Sequence, residues 1–171
     1  MMRLLFALLL SCATPLFAAE VRELQWPELI PAGVPLPPLQ PLPLHEGDEY
    51  SEDGPPAAQQ SPNAPVVRSL DGVRVRLPGY IVPLDITDAG RVIEFLLVPY
   101  YGACIHVPPP PSNQIIHVTG QPGISTEDLW LPFWIEGPLR VEHASSELAE
   151  AGYRMRAEKI QPYDIEALQG Y

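Results

Sequence analysis

The chain has 171 residues, which is enough for one domain of ordinary size and little more. Its formal net charge at pH 7 is −11, from 21 acidic and 10 basic residues. Such a chain is repelled by nucleic acid and by anionic lipid surfaces, so neither is expected as a partner.

The first 19 residues have the features of a targeting segment. Arg3 precedes the apolar run LLFALLL at residues 4–10, which is too short to cross a bilayer. Small residues follow it, and we expect cleavage after Ala18 or Ala19. Residues 1–19 are therefore predicted to be a signal peptide, and the protein is predicted to reach a bacterial periplasm. No later run is long and apolar enough to form a transmembrane segment.

A second interpretation of the same segment involves Cys12. The letters LLSC at residues 9–12 resemble a lipobox, which would leave Cys12 as a lipid anchor. Leu10 is a poor residue before the small Ser11 of a lipobox, so plain cleavage is favoured. After that cleavage Cys104 is the single cysteine of the mature chain. In an oxidising compartment a lone thiol tends to pair, unless it is buried or bound to a metal.

Residues 20–65 are predicted to form a proline-rich, acidic arm or linker. Eleven of the chain's 23 prolines lie at residues 27–65, and proline removes backbone donors and fixes φ. Its first part contains Trp26, Leu29 and Ile30, which is too much apolar surface to leave in solvent. We expect these three side chains to dock on the domain or on a partner.

Residues 66–171 are predicted to form a β-domain. Val73, Val75 and Leu77 alternate with arginines, as in a half-buried strand that is broken or bent at Pro78–Gly79. The runs RVIEFLLVPYY, QIIHVTG, LPFWIEGPLRVEH and YRMRAEKIQPY are further strands, and SSELAEAG at residues 145–152 is predicted to be one short helix. This pattern predicts a mainly β fold: a small OB-like β-barrel, or a sandwich, with one short helix.

The run YYGACIHVPPPPSNQIIHV, residues 100–118, contains the candidate site. In an extended chain Cys104 and His106 point to the same side, about 6.5 to 7 Å apart. The four prolines form a stiff segment that is expected at a surface or rim, and His117 follows on a strand that runs back. One thiolate and two imidazoles suit Zn²⁺ or another soft or borderline metal. Candidates for a fourth ligand are His143, Glu94, Asp85 or a water molecule.

Two other interpretations of these residues stay open. Cys104 and the histidines are also compatible with ordinary core positions, since free cysteine is among the most buried residue types. A reactive thiol with His106 or His117 as its base would make a cysteine-dependent hydrolase, although no further nucleophile signature accompanies it. A redox role is disfavoured because no resolving cysteine is present.

The chain resembles a family of secreted bacterial proteins, domain-of-unknown-function family 3299. The resemblance rests on WPELIP, LPGYIVPLD, EFLLVPYYGACIHVPPPPSNQIIHV and FWIEGPLRVE, and covers residues 24–163. It implies a periplasmic or lipid-anchored protein, often encoded beside an ABC transporter of the macrolide-export or lipoprotein-release type, in some cases within gene clusters linked to zinc limitation. Only Cys104, His106 and His117 are carried over as ligands.

The leading hypothesis is therefore a periplasmic zinc-binding accessory or chaperone protein. Its expected partner is an ABC transporter or a periplasmic metal-handling protein. One alternative is a metal-free interaction module of a membrane transport complex, in which the arm and the proline run bind the partner. The other alternative is the cysteine-dependent hydrolase. An enzyme is the less favoured class.

Overall fold

The computed structural model describes residues 20–35, 58–104 and 108–164, and its main feature is a closed β-barrel of five strands. The nine strands are, in chain order, β1 (Arg22–Glu23), β2 (Arg74–Ile86), β3 (Arg91–Val98), β4 (Ile116–Ser125), β5 (Phe133–Arg140), β6 (Ala144–Ser145), β7 (Glu150–Ala151), β8 (Tyr153–Ala157) and β9 (Lys159–Pro162). The barrel order is β2-β3-β4-β8-β5, and β5 pairs with β2 to close it. Within the barrel only β4 and β8 are parallel. The predicted OB-like, mainly β fold is confirmed.

The long strand β2 turns a corner of the barrel at Pro78–Gly79, where the sequence predicted a bend. It pairs with β5 up to Gly79 and with β3 from Tyr80 onward. A Cβ at Gly79 would lie 2.7 Å from the carbonyl oxygen of Val98, so only glycine lets the backbones approach so closely. The single strand β2 can thus pair with β5 before the corner and with β3 after it.

The side chains alternate between the barrel interior and its outer face. The interior is filled by fully buried side chains that include Phe95, Leu97, Ile116, Val118, Ile135 and Tyr153. A second buried group, which we call the outer cluster, lies on the outer face of β2 and β3, beside the start of β4. It consists of Val82, Leu96, Val98, Ala103, Ile115, Ala144, Ala149 and Ala151. The last three alanines come from the segment after β5, which therefore covers this face.

The two described parts of the N-terminal arm pack on the barrel. β1 pairs in parallel with β2, and the Trp26 indole N–H donates to the carbonyl oxygen of Pro78. Leu29 and Ile30 are buried, so the docking predicted for this apolar group occurs on the domain itself. The Tyr153 hydroxyl donates to the carbonyl of Leu29 and accepts from the amide of Val67, which ties both parts of the arm to β8.

The predicted helix at residues 145–152 is wrong, because this stretch is a β-hairpin formed by β6 and β7. Packing outweighs helix propensity here, because the hairpin buries Ala144, Ala149 and Ala151 in the outer cluster. The Ser146 hydroxyl holds the turn, because it donates to the carbonyl of Ala149 and accepts from its amide. The helical residues in the described ranges are 3₁₀ turns at Trp26–Leu29, Arg68–Leu70, Ser112–Gln114 and Thr126–Asp128.

The proline run is also placed differently from its predicted position at a surface or rim. Pro109, Pro110 and Pro111 are buried beneath the arm residues that begin at 58. Each proline lacks an N–H donor, but its buried carbonyl oxygen still needs a hydrogen-bond donor. Residues of the arm supply these donors. The amide of Gln60 donates to Pro109 and the side chain of Gln59 donates to Pro110.

Several predictions fall on residues that the structure does not describe. They include the signal peptide at residues 1–19 with Cys12, arm residues 36–57, and His106. Among the residues that are described, no helix has the length and apolar character needed to cross a membrane.

Candidate functional site

His117 lies on the outer face of β4, directly opposite Leu96 of β3. Its side chain is only 8% exposed, and its Nε2 lies 2.8 Å from Oε1 of Glu94. Glu94 is more open, with 40% of its side chain exposed. The carboxylate faces Nε2, so Nδ1 is the ring nitrogen that Glu94 does not contact. This is the way in which proteins orient a histidine for a metal.

A groove of about 350 Å³ passes beside His117 and Glu94. Its other walls are Pro83 and Leu84 of β2 and residues 145–148 of the β6–β7 hairpin. The volume is at the lower end of the range for small-ligand sites. Among the described residues, the close contact with Glu94 is the only polar contact of the His117 side chain. The imidazole therefore has one free nitrogen in a groove that solvent can enter.

Cys104 belongs to the same outer face. It packs against the outer cluster, whose member Leu96 is the cross-strand neighbour of His117. Its φ of +66° is in the left-handed region, which is uncommon for a residue with a Cβ and is often found at functional sites. Burial raises the pKa of the Cys104 thiol to about 12, so the thiol is protonated at neutral pH.

The structure brings together only part of the predicted ligand set. Cys104 and His117 share one face of the barrel, while His106 lies in the undescribed residues 105–107. In the described ranges no three histidine, cysteine or acidic side chains converge into a group that could hold a metal ion. The three-ligand site with His106 stays a prediction.

The three residues considered as a fourth ligand have different surroundings. Glu94 contacts His117 directly. Asp85 is an exposed cross-strand neighbour of Glu94 in β2. His143 is paired instead with Glu150 of the hairpin, with 2.7 Å between Nε2 and Oε2. The contact places Glu94 beside the imidazole, and the identity of the fourth ligand stays a prediction.

Sequence reasoning missed two features of this site. Glu94 and His117 are 23 positions apart, and their contact follows from the register between β3 and β4, in which Leu96 faces His117. The only available signal was an isolated acidic residue within the apolar run RVIEFLLV. The groove wall at residues 145–148 was not expected, because the sequence predicted a helix for this stretch.

Comparison with known proteins identifies a family and a related crystal structure. The family model described as "Protein of unknown function (DUF3299)" matches residues 26–162. A crystal structure of a DUF3299 family protein from Pseudomonas aeruginosa PAO1 is 62% identical in sequence, with a TM-score of 0.75. The match covers 85% of this chain and 97% of the other. No curated protein matches the chain.

Proposed function

The chain belongs to the DUF3299 family of proteins of unknown function, and we propose that it is an exported zinc-binding accessory protein of an ABC transport system. The single observation that carries the zinc proposal is the close contact between His117 Nε2 and Glu94 Oε1, at 2.8 Å. Zinc-binding histidines almost always donate their second ring nitrogen to a carboxylate or carbonyl in this way. Because Glu94 contacts Nε2, this contact supports Nδ1 of His117 as the ligand atom.

In this proposal Cys104, His106 and His117 hold the metal, and Glu94 orients His117. Cys104 contributes its sulfur as a thiolate, which is the form that binds zinc. Since burial raises the pKa of this thiol to about 12, zinc binding at neutral pH must displace a proton from it. A water molecule or a partner's side chain would complete the coordination, which suits a protein that passes its metal on.

The export and transporter parts of the proposal have separate supports. Export rests on the signal-like sequence of residues 1–19. The ABC partner rests on the gene context that the family resemblance implies. Crosslinking in intact cells to a subunit of such a transporter, with zinc present and absent, tests this part independently of the zinc site.

The two alternative functions predict different behaviour of Cys104. A hydrolase needs a thiolate at neutral pH, and the raised pKa of this buried thiol argues against it. An interaction module without metal needs neither the thiol nor His117 for its activity. Partner capture that is unchanged in a Cys104→Ser protein would favour the module.

Zinc affinity of the mature protein, measured by competition with a chromophoric chelator, tests the proposal. The protein is purified without nickel resin and made metal-free before titration. We expect one zinc ion per chain, and binding at least about tenfold weaker in Cys104→Ser and His117→Gln. Glutamine at position 117 can still donate to Glu94, so this variant removes the ligand while keeping the bond.

His143→Ala tests the remaining candidate histidine, which is 53% exposed and lies 2.7 Å from Glu150 on the hairpin. Its zinc affinity should equal that of the wild type. Equal affinity in the wild type, Cys104→Ser and His117→Gln would contradict the zinc proposal.

A further inference from the structure

A second concave surface, on the same barrel, is lined by aromatic side chains. We call it the aromatic groove, and its principal residues are Tyr80, Tyr101 and Trp130. The rings of Tyr80 and Tyr101 meet edge to face with centroids 5.8 Å apart. Trp130 is 64% exposed and Tyr101 is 57% exposed. Two large aromatic side chains are thus left uncovered by the described residues.

The size and charge of the aromatic groove restrict what can fill it. Its volume is about 160 Å³, below the range of about 300 to 1,000 Å³ that holds a small molecule. Its lining residues carry no charge, on a chain whose net charge is −11. An uncharged, extended segment with apolar side chains that pack on a shallow aromatic surface fits these properties.

The chain itself contains such a segment. Residues 35–44 read PLPPLQPLPL, with no charge and two overlapping P-x-x-P patterns at 35–38 and 38–41. Such patterns bind aromatic-lined grooves because the polyproline conformation is already extended and loses little entropy on binding. The following stretch, HEGDEYSED at residues 45–53, carries five acids and lacks this complementarity.

We propose that residues 35–44 of the same chain occupy the aromatic groove. The described structure leaves off at Pro35 and resumes at residue 58. Before this gap, Trp26 is anchored to Pro78, two residues from Tyr80. After it, Gln60 is anchored to Pro109, at the end of the loop that begins near Tyr101. The 22 intervening residues can span about 70 Å when extended, so chain length does not prevent the contact.

A peptide competition on the full mature chain tests this proposal. The probe is a synthetic peptide with the sequence of residues 35–44, and the readout is the ¹⁵N–¹H signal of the Trp130 indole. In the wild type the tethered segment competes at a millimolar effective concentration, so the added peptide should bind weakly. Replacing Pro37, Pro38 and Pro41 together by alanine should free the groove and strengthen peptide binding by about tenfold or more.

Two matched controls accompany this triple variant. Pro55→Ala with Pro56→Ala changes prolines of the same gap outside the P-x-x-P patterns, and should leave peptide binding as weak as in the wild type. Adding Trp130→Ala to the triple variant should abolish binding, whereas adding Ile86→Ala, at another exposed apolar residue, should not.

Three outcomes would overturn the proposal. If the peptide binds the wild type and the triple variant equally well, the groove is open to an external partner. If it binds neither protein, the groove does not recognise this sequence. If sedimentation shows that the wild type is a dimer and the triple variant a monomer, the occupant is the segment of a second copy.

Discussion

Replacing Glu94 by alanine is the change that separates an orienting carboxylate from a ligand. The contact of His117 Nε2 with Glu94 is the only polar contact of this side chain within the described residues. Loss of such a partner reduces metal affinity about 10- to 100-fold, which corresponds to about 1.4 to 2.8 kcal/mol of binding free energy. The free energy of unfolding should fall by about 1 to 3 kcal/mol, because the buried imidazole N–H loses its acceptor.

Chelator competition and urea unfolding measure these two effects separately. Glu94→Gln keeps a carbonyl acceptor for the imidazole but removes the charge, so its zinc affinity should lie between those of the wild type and Glu94→Ala. Unchanged affinity in Glu94→Ala would refute the orienting role. A loss as large as that in His117→Gln would instead make Glu94 a ligand in its own right.

Three further predictions concern stability and the thiol. Tyr153→Phe should lower the unfolding free energy in urea by about 1 to 3 kcal/mol, because it removes the bonds to Leu29 and Val67; an unchanged midpoint would mean that they contribute nothing. Gly137→Ala should cost at least about 1 to 3 kcal/mol in the same assay, since its Cβ would clash with the carbonyl oxygen of Arg156, and wild-type stability would contradict this steric argument. Burial of Cys104 raises its pKa to about 12, compared with about 8.5 in an unfolded chain, so the folded state holds this proton more tightly. The contribution of this thiol to stability is full below about pH 8.5 and is lost as the pH rises toward 12. The unfolding free energy of the wild type relative to Cys104→Ala should therefore fall by about 1.6 kcal/mol between pH 8.5 and 10, and a pH-independent difference would refute it.

Periodicity in the sequence was sufficient to predict the barrel strands. Val75 and Leu77 alternate with Arg74 and Arg76, and these residues do form a strand with a buried and a solvent-facing side. The glycine at position 79 marked a corner, because a close backbone approach excludes a Cβ there. These signals are local, because burial in the barrel interior determines which positions of each strand are apolar.

The hairpin and the buried prolines depend on contacts between distant parts of the chain, and local signals misled there. Residues 145–152 contain good helix formers, but covering the outer cluster requires alternating alanines on an extended chain. Pro110 is buried because Gln59, 51 positions earlier, supplies a donor to its carbonyl. The pairing of Glu94 with His117 likewise depends on strand register, which no residue pattern within either strand encodes.

Cobalt substitution of the metal-free mature protein tests the central claim most directly. A Co²⁺ ion bound by a thiolate gives a ligand-to-metal charge-transfer absorption that imidazole and carboxylate ligands do not give. We predict that one equivalent of Co²⁺ produces this band in the wild type, that Zn²⁺ removes it, and that Cys104→Ser lacks it. Absence of the band in wild-type protein saturated with Co²⁺ would contradict the proposal that Cys104 and His117 belong to one metal site.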